Sequence, residues 1–172
     1  MNEQNFIKDL EEFLPFWKRA NAGVEKLALP SSKGTVLYFD TIDIATPPFF
    51  GLIRSMLAYE GAGAFVVLAV RPDPFTYFHH HFGKYPAFIV GPEHDEDDYY
   101  AFLHADPGGS PADALVYNAQ RYAVLPTQGD WFMYGNWTRE TGALIGSPEV
   151  MEFARQHYLF FQERDQHFQI VD

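Results

Sequence analysis

The sequence predicts a single α+β domain over residues 1–172, with a largely antiparallel sheet flanked by about four helices. Segments with helical spacing of apolar residues and short apolar strands follow one another without strict βαβ alternation, which argues against a parallel sheet. Ser-Pro and Thr-Pro pairs mark the starts of several helices. The length suffices for one core, because a chain of about 150 residues buries roughly two thirds of its unfolded surface.

The clearest strand signal is the stretch at residues 130–146, DWFMYGNWTRETGALIG. Side chains alternate between the two faces of a strand, so Trp131 and Met133 fall on one face while Phe132 and Tyr134 fall on the other. Both faces carry large apolar side chains, which indicates a strand that is covered on both sides. A glycine and an asparagine follow, and the whole pattern predicts a hairpin in the middle of the sheet.

Four segments are predicted to be helical from their apolar spacing and from residues typical of helix ends. The first spans residues 3–20, and Pro15 should break or kink it. The second spans Thr46 to Gly61, the third begins at Ser110, and the fourth spans Ser147 to about Asp165. The apolar stripe of the third helix is predicted to reach Ala123.

Besides the hairpin, short runs rich in β-branched and aromatic residues predict further strands. One begins at about Thr35, and the others span residues 64–71, 87–90 and 99–104. The run at 64–71, AFVVLAVR, lacks polar alternation and is the candidate for the sheet centre. Residues 87–104 are predicted to form a second hairpin with an acidic tip.

Charge and composition narrow the classes of function. The net charge of -11 repels phosphate backbones and anionic lipids, which argues against nucleic-acid or membrane binding and is compatible with a basic protein partner. The same charge also keeps a protein soluble, which is the more common reason for it. There is no cysteine, so thiolate nucleophiles and cysteine metal sites are excluded. The start lacks the features of a signal peptide, and the longest apolar run, residues 62–70, is too short to cross a membrane. A soluble, cytoplasmic protein is therefore expected.

Motifs of high catalytic specificity are absent from the sequence. It contains no G-x-S-x-G nucleophile elbow, no H-E-x-x-H zinc motif and no P-loop. The glycine pair at residues 108 and 109 is not followed by the lysine that a phosphate loop requires. We therefore expect a non-enzymatic protein without a cofactor.

Histidines at residues 79–81 support an alternative prediction, a metal-dependent enzyme. In the segment FTYFHHHFGKYP, if it is extended, His79 and His81 share one strand face and can bind the same metal ion. A third ligand must come from elsewhere, and the candidates are His94, Asp95 and His104. The competing interpretation is a surface or partly buried aromatic patch.

An acidic loop and a hairpin turn are the candidate contact surfaces for a partner. The acids of the loop do not follow the calcium-loop pattern, so they form either a solvated turn or a surface for a basic partner. They are Glu93, Asp95, Glu96, Asp97 and Asp98. The turn of the 130–146 hairpin adds Trp137, Arg139 and Glu140, because Trp and Arg are frequent among residues that dominate binding energy.

The hairpin also resembles a segment of a known protein class. Its aromatic strand, charged turn and glycine-terminated apolar strand are similar to a segment common in small acidic immunity proteins of bacterial toxin systems. The resemblance implies a cytoplasmic protein that binds and neutralises a partner protein, and it transfers no site residue to this chain. A small-molecule binder with an aromatic pocket is a further alternative, which the Phe and Tyr content permits. The oligomeric state stays open.

Overall fold

An antiparallel sheet connects the parts of the fold. In the computed structural model, which describes residues 6–29, 35–109 and 113–172, the sheet has six strands in the order β1-β6-β5-β4-β2-β3. The strands are β1 (Leu37–Asp40), β2 (Phe65–Arg71), β3 (Ala87–Val90), β4 (Arg121–Pro126), β5 (Phe132–Asn136) and β6 (Thr141–Ile145). Every neighbouring pair runs antiparallel, which confirms the predicted α+β class.

Helices cover both faces of this sheet. They are α1 (Leu10–Ala28), α2 (Pro47–Glu60), α3 (His80–Phe82), α4 (Glu96–His104), α5 (Leu115–Asn118) and α6 (Pro148–His157). A 3-10 helix (Thr41–Ala45) follows β1, and a π-helical turn (Pro74–His79) precedes α3. The helices α2, α4 and α6 pack on one face, and α1 packs on the other together with the C-terminal segment around Ile170.

The hairpin at residues 130–146 forms as predicted and lies inside the sheet. Trp131 and Met133 belong to the core on the α2 side, whereas Phe132 and Tyr134 belong to the core on the α1 side. All four side chains are buried. The strand β2 is also interior and covered on both faces, but it lies next to the edge strand β3 and not at the centre of the sheet.

Two glycines that face each other across β5 and β6 make room for aromatic rings. Gly135 and Gly142 are cross-strand partners. A Cβ atom added to Gly135 would lie 2.1 Å from the ring of Tyr122, and one added to Gly142 would lie 2.1 Å from the ring of Phe39. The two rings therefore occupy the space that side chains would fill at these positions.

We expect Gly142→Ala to lower the free energy of unfolding by about 1–3 kcal/mol, because the new methyl group would displace the packed Phe39 ring. Gly51→Ala is the matched control, since Gly51 is exposed in α2 and its Cβ would meet nothing within 4 Å. That change should raise the free energy of unfolding by about 0.5–1 kcal/mol through helix propensity. Urea unfolding measures both values, and equal effects of the two substitutions would contradict the packing argument.

The first helix differs from its prediction at both ends. It begins at Leu10, where the Asp9 carboxylate accepts a hydrogen bond from the backbone N–H of Glu11 at 2.8 Å. It continues through Pro15 to residue 28, so the predicted end near residue 20 was wrong. Buried side chains recur along its whole length, and this packing outweighs the local cost of the proline. Residues 3–5 of the predicted helix lie outside the described residues.

Residues 74–82 are helical and not extended. The Asp73 carboxylate caps this segment by accepting hydrogen bonds from the backbone N–H groups of Phe75 and Thr76, each at 2.8 Å. Pro74 occupies the first helical position, where its missing N–H costs nothing. These end signals override the aromatic content that suggested a strand.

Residues 96–104 form α4 and not the second strand of a hairpin. Tyr99, Phe102 and Leu103 are its buried residues, and their spacing of three and four is that of a helix. The apparent alternation of apolar residues over this short run therefore had the wrong period. Consequently β3 has no hairpin partner after it and pairs only with β2 among the named strands.

The later elements also differ from their predictions. The predicted third helix opens at Ser110, which lies outside the described residues, and within them its α-helical part is limited to the four residues of α5. Tyr122 and Ala123, predicted on its stripe, belong to the unpredicted strand β4. The last helix ends at His157 and not near Asp165. The strand expected from Thr35 is limited to the four residues of β1.

Candidate functional site

The histidine cluster lacks the geometry that the metal prediction required. His79 ends the π-helical turn and His81 lies in α3, and helical residues two apart do not share a face. The His79 ring stacks on Tyr85 with centroids 4.6 Å apart, and the His81 ring meets Tyr77 edge-on at 5.0 Å. In the part of the chain that the structure describes, no group of three His, Cys, Asp or Glu side chains could hold a metal ion.

The candidate third ligands have partners around α4. His94 Nδ1 accepts a hydrogen bond from the backbone N–H of Gly91 at 2.9 Å. His104 Nδ1 lies 2.7 Å from the carbonyl oxygen of Tyr100, one helical turn earlier. Asp95 caps the helix. Each of the three side chains therefore already has a structural role.

The five acids of the predicted acidic loop lie at the start of α4, and two of them cap it. Asp95 Oδ1 accepts from the backbone N–H of Asp98 at 2.9 Å, and Asp98 Oδ2 accepts from the backbone N–H of Asp95 at 3.0 Å. Negative charge at a helix N-terminus is also favoured by the helix dipole. Glu93, Glu96 and Asp97 are exposed and do not cap the helix. Helix formation thus accounts for part of the cluster, and the exposed acids are available for contacts.

We expect Asp95→Ala to lower the free energy of unfolding by about 1 kcal/mol, because the first turn of α4 loses a capping bond. Asp97→Ala is the matched control, since Asp97 is exposed in the same turn without capping it. Its loss should cost less than about 0.5 kcal/mol, from the helix dipole alone. Urea unfolding distinguishes the two, and equal losses would show that the cap is not what stabilises this end.

The turn residues Trp137, Arg139 and Glu140 do not form one free contact patch. Trp137 is half-buried and packs against the core on the α2 side. Arg139 Nε lies 3.6 Å from Oδ1 of Asp172, and the same carboxylate pairs with Arg121. Glu140 is exposed and has a positive φ of 50° at the end of the turn. The arginine of this predicted patch therefore helps to hold the C-terminal segment against the hairpin.

Three tyrosine hydroxyls converge on the 3-10 helix at residues 41–45. They donate hydrogen bonds from Tyr99 to the Ile44 carbonyl at 2.6 Å, from Tyr122 to the Thr41 carbonyl at 3.0 Å and from Tyr158 to Asp43 Oδ2 at 2.7 Å. Burial raises the pKa of all three phenols far above the usual range, so the hydroxyls stay protonated and act as donors. As a result α4, β4 and the segment after α6 attach to the same short helix.

Burial raises the pKa of the Asp43 carboxyl above its ordinary value of 3.8, and the hydrogen bond from Tyr158 opposes the rise. A carboxyl whose pKa is raised by folding contributes stability at low pH that is lost as the pH rises through the folded pKa. We expect Asp43→Asn, which cannot ionise but can accept the Tyr158 bond, to gain stability relative to the native chain between about pH 3 and pH 7.

Urea unfolding of both proteins at the two pH values measures this gain. The other carboxyls titrate in the native chain and in the variant alike, so their contributions cancel in the difference. A stability difference that is constant, or that shrinks as the pH rises, would contradict the raised pKa of Asp43.

An exposed apolar pair lies directly beyond α6. Leu159 is 87% exposed and Phe160 is 56% exposed. Ile42, which is 49% exposed, directly precedes Asp43, the residue that the Tyr158 hydroxyl binds. We call Ile42, Leu159 and Phe160 the apolar patch. Adjacent large apolar side chains held at the surface are typical of contact surfaces, whereas single ones are common on any protein.

The segment that presents the pair is held on both sides. Before the pair, Tyr158 is buried, its hydroxyl binds Asp43, and its ring contacts that of Phe160 with centroids 5.4 Å apart. After the pair, the backbone N–H of Gln162 donates to the carbonyl of Tyr38 at 2.7 Å and bridges to the edge strand β1. The exposure of the pair therefore follows from the fold and not from a loose segment.

Aromatic and acidic side chains extend this surface along α6. Tyr59 stacks on Phe153 with centroids 4.4 Å apart, and Phe153 stacks on His157 at 3.9 Å. Glu149 and Glu152 line the same shallow groove, which has a volume of about 430 Å³. Aromatic faces next to carboxylates can accept the side chain of a lysine or an arginine.

Sequence reasoning missed the apolar patch because it extended the last helix to about Asp165. One signal was present in the run YLFF at residues 158–161. Consecutive apolar residues cannot all face one stripe of a helix, so at least one of them must point to solvent or the helix must end. In the structure the helix ends at His157, before these apolar residues.

In comparisons with protein-family models, with curated proteins and with solved structures, no match to this chain is found. No helix within the described ranges is both long and apolar enough to cross a membrane.

Proposed function

We propose that the protein is a non-enzymatic, cytoplasmic protein-binding domain whose main contact surface is the apolar patch. The observation that supports this is the exposure of Leu159 and Phe160 on a segment held by hydrogen bonds on both sides. Burying one such side chain at an interface contributes about 1.5–3 kcal/mol. Two of them are therefore enough to act as the central anchors of an interface.

The partner that fits this surface is a protein with a basic contact face. Asp40 and Asp43 lie close enough to Tyr158 to act on its pKa, and the exposed Glu163 follows the apolar pair. The groove on α6 adds Glu149 and Glu152, of which Glu152 pairs with Arg155 of the same helix. Exposed ion pairs contribute only about 0–1 kcal/mol each, so the apolar patch sets the affinity while the acids speed association and select the partner.

Neutralisation of a basic partner, as in the immunity proteins of bacterial toxin systems, is the form of this function that we favour. The acidic charge, the α+β fold and the resemblance of the hairpin support it. The exposed acids Glu93, Glu96 and Asp97 at the start of α4 stay a predicted second contact. Reversal of Glu96 and Asp97 to lysine should slow association with the partner without removing the cap of α4.

Affinity capture of the tagged chain from its own host, followed by titration of the captured partner, tests the proposal. We expect the double variant Leu159→Ser, Phe160→Ser to bind at least about 100-fold more weakly, because two anchors are lost. Leu10→Ser is the matched control, since Leu10 is 46% exposed but lies on α1, on the opposite face of the sheet. Its affinity should stay within about twofold of the native value.

The comparison requires that both variants keep the native midpoint of unfolding. Equal affinity of the native chain and the double variant would contradict the assignment of the patch. A tagged chain that retains no protein even at low salt would contradict the protein-binding function itself. Raising the salt from about 50 to 500 mM should slow association and leave dissociation nearly unchanged, as expected for steering by exposed acids.

A further inference from the structure

A groove of about 600 Å³ lies between α1 and the sheet, at the end of β2 and the start of β4. This volume is within the range of about 300–1,000 Å³ that is usual for small-molecule sites. Trp17 of α1 forms one wall, and Arg71, Arg121 and Tyr134 line the sheet side. Strands β5 and β6 separate the groove from the edge strand β1, beside which the apolar patch lies.

Two arginines lie next to each other on neighbouring strands of the groove. Arg71 on β2 and Arg121 on β4 are direct cross-strand partners. Like charges in this position are destabilising unless an anion compensates them. Here the Asp172 carboxylate compensates Arg121, which leaves Arg71 as the arginine that can still bind an anion.

An irregularity in β2 turns Arg71 into the groove. The register with β4 shifts between Ala69 and Arg71, and as a result Val70 and Arg71 both line the groove. In a regular strand Arg71 would share the face of Ala69, which belongs to the core on the α2 side. Bulges of this kind redirect side chains and are frequent next to binding sites.

The two carboxylates of the groove are already bound within the protein. Asp73 accepts hydrogen bonds from two backbone N–H groups of the π-helical turn, each at 2.8 Å. Asp172 pairs with Arg121, which is only 8% exposed. Among the described residues no ion pair involves Arg71. The four charged side chains of the groove sum to zero net charge, but the Arg71 guanidinium is not held in an ion pair by any described residue and can bind an anion.

The contacts in the groove indicate the chemistry that it accepts. Asp172 shows that a carboxylate fits next to this pair of strands, where Arg121 binds it and Asn136 Nδ2 lies 3.5 Å from it. The Trp17 ring is held edge-on by Phe75 with centroids 5.6 Å apart, so it offers an aromatic wall of fixed orientation. Arg71, Arg121 and Tyr134 all line the groove. Burial raises the pKa of the Tyr134 hydroxyl, Asp172 adds to the rise, and the two arginines oppose it.

We propose that this groove binds a small aromatic carboxylate, with the anionic group on Arg71 and the ring against Trp17. A bidentate arginine–carboxylate contact supplies the specificity, and the apolar wall supplies contact area. This binding activity does not depend on the proposed protein partner, so either can fail without the other.

Isothermal titration calorimetry with phenylacetate, and with the neutral phenylacetamide as its matched control, tests the proposal. We expect phenylacetate to bind one to one with a Kd on the order of 1 mM, and the amide to bind at least tenfold more weakly. Arg71→Gln should weaken phenylacetate binding at least tenfold. Arg155→Gln, which removes an equally charged but remote arginine from α6, should leave it unchanged.

A measurement on the native chain covers the case in which Arg71→Gln does not fold. In NMR titrations phenylacetate should shift the indole N–H resonance of Trp17 and leave those of Trp131 and Trp137 in place. Equal binding of acid and amide, or a Trp17 resonance that does not move at saturation, would overturn the proposal. Tighter binding of inorganic phosphate than of phenylacetate would overturn the aromatic carboxylate as the ligand class.

Discussion

Burial of the central sheet on both faces is the constraint on which the rest of the structure depends. Antiparallel sheets often leave one face in water, but here apolar side chains point both towards α1 and towards the layer of α2, α4 and α6. Each layer is required, because its removal would expose a whole apolar face. Surfaces that a ligand or partner can reach are therefore found at the edges and ends of the sheet, and both candidate sites lie there: the apolar patch beside β1 and the groove at the end of β2.

Hydrogen bonds from buried side chains hold an irregular segment, the 3-10 helix after β1, against the core. The 3-10 helix after β1 leaves backbone carbonyls in a dry environment, where unsatisfied polar groups are costly. The hydroxyls of Tyr99 and Tyr122 satisfy two of these carbonyls, and Tyr158 binds the Asp43 carboxylate. Elements that are distant in the sequence thereby meet at one turn. The backbone on either side of Leu159 and Phe160 is likewise held by hydrogen bonds.

The sequence predicted elements whose local signals agree with their tertiary surroundings. In the 130–146 hairpin, the alternation, the turn residues and the two-sided burial all point to the same structure. Signals conflicted elsewhere. The sequence pattern predicted a strand at 99–104, and the metal prediction required an extended segment around His79 and His81. Caps by Asp73 and Asp95 favour helices at both places, and the structure is helical there. The acids at residues 93 and 95–98 are exposed, but they lie at the start of a helix and not at the tip of the predicted hairpin. The apolar patch and the groove depend on a helix end and a register shift that only long-range packing decides.

The position of Leu159 and Phe160 between two anchored residues has a consequence for how a complex would form. A binding segment that must first become ordered costs about 1–2 kcal/mol per residue in backbone entropy. Here Tyr158 and Gln162 already hold the backbone, so a partner meets side chains that are in place before contact. Such a surface acts as a template and not as a segment that folds on binding. Natural variation at these two positions would then alter how long a complex lasts far more than how quickly it forms.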